Sequence, residues 1–408
     1  MTAKNDPSRR DFLASSMKAA AITGLATAAA RAAASARGPA IAVSAGPTPR
    51  KIGPDDKIRF GLIGIGSRGQ GLLDVLLRQK NISVKALADL DPNNRKAAIE
   101  KVKAATGETI DVYTEPEDYK NKLLARDDID AILSATPCWL HGPVYLACFA
   151  AGKHFYGEKP MCIEANEADA LVEAQKKNPK VVGQIGFQRR ASKLYIEGIK
   201  RIKEGEFGDL IDGRAAWNNY WGPIGRPGEG ARIWLGRRKS SGDWMLEQAC
   251  HSWDVISWVT GEMPVAASGV GRRDVFKEMD PQRDVTDYYI AHLVYKSGLT
   301  VDFEHSWICP HKDDGKFTGV FERFAGSKGG ISFGEGSMYW RDPSMPPEQI
   351  KVDDGDHTVR AIESFLNSVR TGAPNVCTTE TSRLATYTGL LVRKAVDERR
   401  WVKIEELL

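Results

Sequence analysis

Three short stretches of this chain carry residue types that could do chemistry. The first is GLIGIGSRG, residues 61–69, in which Gly64, Gly66 and Gly69 are spaced G-x-G-x-x-G between an apolar run and a helical pattern. In that context the first glycine permits a tight turn, the second lets backbone approach a pyrophosphate, and the third lets helix and strand pack closely. The N-terminus of the helix that follows would offer free N–H groups and a positive dipole end to phosphates, which makes Ser67 and Arg68 candidate cofactor-binding residues. Asp89 follows the next strand-like run, 20 residues after Gly69. A carboxylate there accepts hydrogen bonds from both ribose hydroxyls and repels a 2′-phosphate, which favours NAD. Arg68 keeps NADP open, since a guanidinium near that pocket could bind the extra phosphate.

The second stretch is GEKPM, residues 157–161, with Lys159 just past a predicted strand. Ligands of parallel sheets bind beyond the carboxyl ends of the strands. A lysine there can donate to a substrate oxygen and stabilise developing negative charge. The third is MLEQACHSWDVISW, residues 245–258, where Glu247, His251 and Asp254 stand at i, i+4 and i+7. On one helix they would share a face. Carboxylates flanking the histidine would set its tautomer and raise its basicity, making it a candidate general base. No metal site is expected, because the further ligands it would need are not apparent.

The elements that must position these residues read from the pattern. Strands at 57–66, 82–89, 129–137 and 153–160 alternate with helices at 71–78, 92–105 and 143–152. This rhythm implies right-handed βαβ crossovers and a parallel sheet. After a strand at 181–187 and a helix at 192–204, strand-like runs dominate at 212–221, 287–308 and 319–333, with a hairpin turn at Lys296-Ser297-Gly298. Helices at 357–372 and 380–398 follow, and residues 236–243 read as a solvated loop. The fold class is therefore α/β. A dinucleotide-binding domain is expected over 57–178 and a substrate and oligomerisation domain over 179–408, with helices 357–398 packing back.

Composition bounds the rest. The 408 residues are 42% hydrophobic and 27% charged, as in a globular protein. Residues 1–36 carry five basic and two acidic side chains of the total net charge of +4, leaving the remainder near neutral. That argues against nucleic acid as a partner. The string SRRDFL, residues 8–13, precedes an alanine-rich run at 19–30 and small residues at 33–36. It resembles a twin-arginine export signal, with cleavage after Ala36 or Ala45, and the run is too short for a stable membrane anchor. Residues 37–56 read as a linker. The six cysteines form no paired motif, so mostly free, buried thiols are expected.

Taken together, GLIGIGSRG, ALADLD, SATPCWLHGPVYLACFAAGKHFYGEKP and EQACHSWD resemble the Gfo/Idh/MocA oxidoreductase family over roughly residues 57–408. The resemblance implies a Rossmann domain, a substrate domain on a largely antiparallel open sheet, and a bound nicotinamide dinucleotide. It makes Lys159 and His251 the catalytic pair, with Glu247 where the family usually has aspartate. It places Thr136, Pro137, His141, Glu158 and Gln188 around the cofactor. In the implied chemistry, His251 removes the proton of a substrate hydroxyl, Lys159 holds the oxygen, and hydride leaves the carbinol carbon for nicotinamide. Candidates for holding a sugar are Arg189, Trp217, Tyr220, Trp221 and Asp254. Three functions stay open: an exported oxidoreductase of a sugar or cyclic polyol, a glycoside-cleaving enzyme that oxidises transiently, and a non-catalytic sugar-binding module. A homo-oligomer, loaded with cofactor before passing the twin-arginine export machinery to the periplasm, is expected.

Overall fold

A computed structural model describes residues 38–408; the stretch that resembles an export signal lies outside the described residues. The first domain holds six strands: β1 (Ile58–Ile65), β2 (Ile82–Ala88), β3 (Asp111–Tyr113), β4 (Ala131–Ala135), β5 (His154–Gly157) and β6 (Gly183–Ile185). They lie in the order β3-β2-β1-β4-β5-β6, and every pairing is parallel. Burial on both faces explains why β1 reads as a nearly unbroken apolar run. Helices α1 (Ser67–Leu77), α2 (Pro92–Thr106), α3 (His141–Ala150) and α4 (Ala165–Lys177) cover the sheet. The parallel sheet runs past the expected boundary at 178, because β6 hydrogen-bonds to β5.

The chain then passes through α5 (Lys193–Lys203) into β7 (Leu210–Asn218). Three helices follow: α6 (Arg238–Ser241), α7 (Trp244–Glu247) and α8 (Cys250–Thr260). Next come β8 (Ala266–Arg272), β9 (Tyr288–Val294), β10 (Thr300–Ser306), β11 (Gly319–Gly326), β12 (Gly329–Ser332), β13 (Ser337–Trp340) and β14 (Glu348–Gln349). With β15 (Val402–Lys403) they form a nine-stranded sheet, order β14-β13-β12-β11-β7-β10-β9-β8-β15. Only the central β10–β7 pair is parallel. The alternating burial of β9 and β10 reflects one face packed on helices and one open face.

Helices α9 (His357–Thr371) and α10 (Thr379–Glu398) tie the domains together. Phe365 of α9 is fully buried against Phe60 and Tyr156 of the parallel sheet, at 6.3 and 6.1 Å in edge-on geometry. Burying such a ring contributes about 1.5–3 kcal/mol. Helix α10 packs on α8, β8 and α4.

Residues 38–56, read as part of a linker, have no regular structure and are strapped onto the first domain. Gly46 N donates to Asn178 Oδ1 at 2.7 Å, Lys177 Nζ donates to the Val43 carbonyl at 3.0 Å, and Arg50 grips Asp130 through two bonds of 2.9 Å. Residues 236–243 are not a solvated loop: they contain α6, and Ser241 and Asp243 are buried. All six cysteines are free and five are buried, as expected.

Candidate active site

The carboxyl ends of β1, β2, β4 and β5 open into a cleft of about 990 Å³ whose far wall is supplied by the second domain. At one end lies the glycine turn. Gly64 has φ +69°, and a Cβ there would sit 2.6 Å from Thr136 Cγ2. Gly69 is buried, and its Cβ would meet the Gly64 carbonyl at 2.9 Å, so this glycine serves helix–strand packing. Gly66 lines the cleft, and its nearest neighbour to a Cβ is Asn94 Nδ2 at 3.8 Å. A side chain there would fill the cradle itself. Gly66 also precedes α1 without a side-chain cap, and the first turn holds no acidic residue. The N–H groups that open α1 thus face the cleft free for an anion.

Asp89 fixes this turn from β2. Its Oδ2 accepts from Ile65 N at 2.6 Å and its Oδ1 from Asp91 N at 2.7 Å. Oδ1 also accepts a long bond from Asn94 Nδ2 at 3.5 Å, and Oδ2 retains a second lone pair for a ribose hydroxyl. Arg68, the residue that kept NADP open, is committed elsewhere, since its Nε donates to Glu158 Oε1 at 2.7 Å. These residues fit a nicotinamide dinucleotide without a 2′-phosphate. Thr136 Oγ1 and Gln188 Oε1 fit it too, since both are buried in the cleft lining without a partner. Pro137 also lines the cleft. His141 has a bracing role: its ring nitrogens lie 2.6 Å from the Pro160 carbonyl and 2.8 Å from that of Thr136. Burial pushes its pKa down against the pull of those two carbonyls.

At the other end, Lys159 Nζ donates to the Glu247 carbonyl at 2.6 Å and to Glu247 Oε1 at 3.0 Å. An ammonium has three donors, so one remains for a ligand. Burial opposes the charge most strongly, but the surrounding acidic groups, Glu247 foremost, together outweigh it and hold the Lys159 pKa above the usual lysine range. Lys159 is therefore a fixed cation. His251 sits beside it, stacked on Trp217 at 5.5 Å and edge-on to Phe187 at 5.8 Å. Its Nδ1 is buried without a partner. Burial, and then the nearby cations Lys159, Arg189 and Arg68, push its pKa well below the ordinary histidine value. The ring is a neutral proton acceptor.

This corrects the expected source of basicity. Residues 244–260 do not form one helix; α7 ends at Glu247 and α8 begins at Cys250. The break turns Glu247 onto Lys159 and Asp254 away from the cleft. Asp254 is buried in an ion pair with Arg190, 2.9 Å from its Nε. Neither carboxylate bonds to His251. Asp254 therefore has no free oxygen edge for a substrate. Arg189 is likewise committed: Nη1 donates to the buried Glu322 at 2.5 Å, and the guanidinium lies 5.3 Å over Trp217. Glu322 also accepts from Ser252 and Tyr195, which completes the support beneath Trp217. Tyr220 and Trp221 are exposed beyond the end of β7 and do not line the cleft. Of the five sugar-binding candidates, Trp217 is the one with a ring contact to His251.

Several lining residues escaped sequence reading. Asp91, Asn94, Glu115, Glu117 and Tyr119 line the end nearest β2 and β3. β3 has three residues, too few to show a period. Trp139, Arg232, Trp234 and Leu235 also line the cleft. The last three sit in a glycine-rich stretch with no periodic signal.

Residues 58–186 match the model of the oxidoreductase family with an NAD-binding Rossmann fold, Gfo/Idh/MocA, and residues 197–332 match the Gfo/Idh/MocA C-terminal domain. The chain belongs to the Gfo/Idh/MocA family of NAD-binding oxidoreductases. A myo-inositol 2-dehydrogenase of Thermotoga maritima is 24% identical over 364 residues, covering 86% of this chain and 100% of that protein. A glycosyl hydrolase family 109 protein of Shewanella pealeana is 30% identical over 165 residues, covering 40% of this chain and only 35% of that protein. The crystal structure of myo-inositol 2-dehydrogenase from Lactobacillus plantarum superposes with a TM-score of 0.69 at 20% identity, covering 85% of this chain and 99% of that one. That likeness supports the two-domain fold.

Proposed function

We propose that this protein interconverts a hydroxyl and a carbonyl on a sugar or cyclic polyol, using a nicotinamide dinucleotide that stays bound between turnovers and is returned to its starting redox state in place, by a second substrate or within one catalytic cycle. The observation that carries this reading is the pairing of a fixed ammonium, Lys159, with a neutral buried imidazole, His251, at one end of a dinucleotide cleft. Bound in that cleft, the dinucleotide supplies the redox chemistry. The chain's own residues do the rest. The free N–H of Lys159 holds the substrate oxygen and favours its negative charge. His251 accepts the hydroxyl proton, through Nε2, the ring nitrogen left to the cleft. Proton removal by a placed base contributes about 10²–10⁴-fold. Glu247 aims Lys159 and keeps it charged. The inositol dehydrogenase relative supports a polyol substrate.

The family 109 glycosyl hydrolase relatives favour a second reading. There the same pair would assist transfer of hydride from a ring carbinol to the bound dinucleotide, the aglycone would be eliminated, water would add in its place, and the hydride would return to the sugar. One experiment separates the two. Purified protein is given aryl glycosides without added cofactor, and free sugars and inositols in parallel. Repeated release of aglycone selects the glycoside-cleaving reading. Reduced dinucleotide formed from free sugar or polyol, with no aglycone release, selects the oxidoreductase. Neither signal from any substrate contradicts both.

Export belongs to the same proposal. A twin-arginine route carries folded cargo, so the dinucleotide would be loaded in the cytoplasm and retained in the periplasm. An association rate of about 10⁶ M⁻¹s⁻¹ and a Kd of about 1 nM give retention of roughly ten minutes. Cleavage after Ala36 leaves the 38–56 strap whole, whereas cleavage after Ala45 would remove the Val43 contact with α4. The exposed Val270, Ile290 and Trp401 on the open face of the nine-stranded sheet support a homo-oligomer.

A further inference from the structure

Part of the cleft lining comes from residues 222–242, between β7 and α7. This stretch is an arch pinned at both ends. Near its start, the Ile224 carbonyl accepts from the buried Arg283 at 2.9 Å. Near its end, Arg237 pairs with Asp280 at 2.6 Å. Gly225, Gly228 and Gly230 have φ of 76, 92 and 56°, a backbone open to glycine that leads into a 3-10 helix at Gly230–Gly236. Between the pins, Arg232, Trp234 and Leu235 line the cleft. Trp234 meets Trp139, which follows β4, edge-on at 6.3 Å. The arch of the second domain thus reaches across to the dinucleotide domain.

Charge indicates what the arch faces. The lining contains six carboxylates and three permanent cations, Arg68, Lys159 and Arg232. Arg68 is paired with Glu158 and Lys159 with Glu247. Arg232 is exposed, and no ion pair engages it among the described residues. A cleft this acidic needs a cation to accept a diphosphate, and one of its three is uncommitted. The start of α1 and Arg232 line the same cleft, and both offer N–H donors to such a group.

We propose that residues 222–242 form a fixed clasp that retains the dinucleotide, with Arg232 answering the diphosphate charge and the Trp139–Trp234 contact closing the way out. The inference deepens the reading of a retained cofactor and rests on it. Its test needs no substrate. The full chain is loaded with radiolabelled NAD, desalted, and chased with excess unlabelled NAD, and release of label is timed. Loss of one charge-assisted contact should speed release about 10–100-fold in Arg232→Ala. Arg232→Lys should recover part of that loss, and Trp234→Ala should also release faster. Because Arg232 is exposed, an unchanged melting curve will confirm that Arg232→Ala is folded. Release at the wild-type rate from folded Arg232→Ala would overturn the clasp. So would wild-type release combined with a raised KM for sugar, which would assign Arg232 to the substrate. A chain that turns over no sugar can still pass this test, and one that oxidises sugar can fail it, so the two proposals fall separately.

Discussion

At the dinucleotide end of the cleft the chain offers backbone and empty space; at the chemical end it offers side chains drawn from positions 88 residues apart. The glycine cradle works through what is missing: no Cβ at Gly66, no cap and no acid in the first turn of α1. Lys159, Glu247 and His251 work through what they do to one another. Burial, and then the cation, keep the imidazole neutral, and the carboxylate helps to keep the cation charged. Binding and chemistry are thus separable in this molecule, and substitutions should divide along that line.

The steepest loss is expected at the chemical end. His251→Asn should lower kcat/KM by about 10²–10⁴, while the dinucleotide content of the purified protein stays at the wild-type level. Equal losses of both would show that the two ends are not separable. Lys159→Met should cost about 10²–10³ in kcat, and it should also move a pH limb. Lys159 is one of the cations that depress the His251 pKa, so its removal lets that pKa rise. The acid limb of kcat/KM, where the base becomes protonated and activity is lost, should then shift to higher pH than in the wild type.

Gly64→Ala tests the binding end. A Cβ at that positive φ would overlap Thr136, a strain of about 1–3 kcal/mol. Lower dinucleotide content and a lower melting temperature are expected, with kcat at saturating NAD much closer to wild type than in His251→Asn. The weakest signal is a flat region. For the wild-type chain, kcat/KM for oxidation should not decline as pH falls through about 6.5, the ordinary histidine value, because His251 stays neutral there. A limb centred at that value would place the working base elsewhere.

The two ends also differed in how far sequence revealed them. Gly64, Gly66, Gly69 and Asp89 sit at fixed local offsets, so spacing alone located the cradle. Lys159 and His251 were legible because each lies next to a strong element signal and because the stretches around them resemble one family. What spacing could not convey was the break at Gln248 and Ala249. Three charged residues at helical intervals suggested a carboxylate-flanked histidine, yet one carboxylate serves Lys159 and the other Arg190. Partner choice among buried charges depends on tertiary neighbours, here the turn after β6 that supplies Arg189 and Arg190. The arch at 222–242 was invisible for a different reason: it has no periodicity, and its meaning lies in what it faces.

The proposed chemistry turns on one step, in which His251 accepts a proton from a substrate hydroxyl held by Lys159. A single turnover reads that step. The protein is loaded with one equivalent of NAD and mixed with myo-inositol and a panel of free sugars, and reduced nicotinamide is followed optically. A burst of reduced dinucleotide from at least one substrate is expected, slowed by deuterium at the carbinol carbon and lost in His251→Asn. A burst of the same rate and size in His251→Asn would refute the role given to His251.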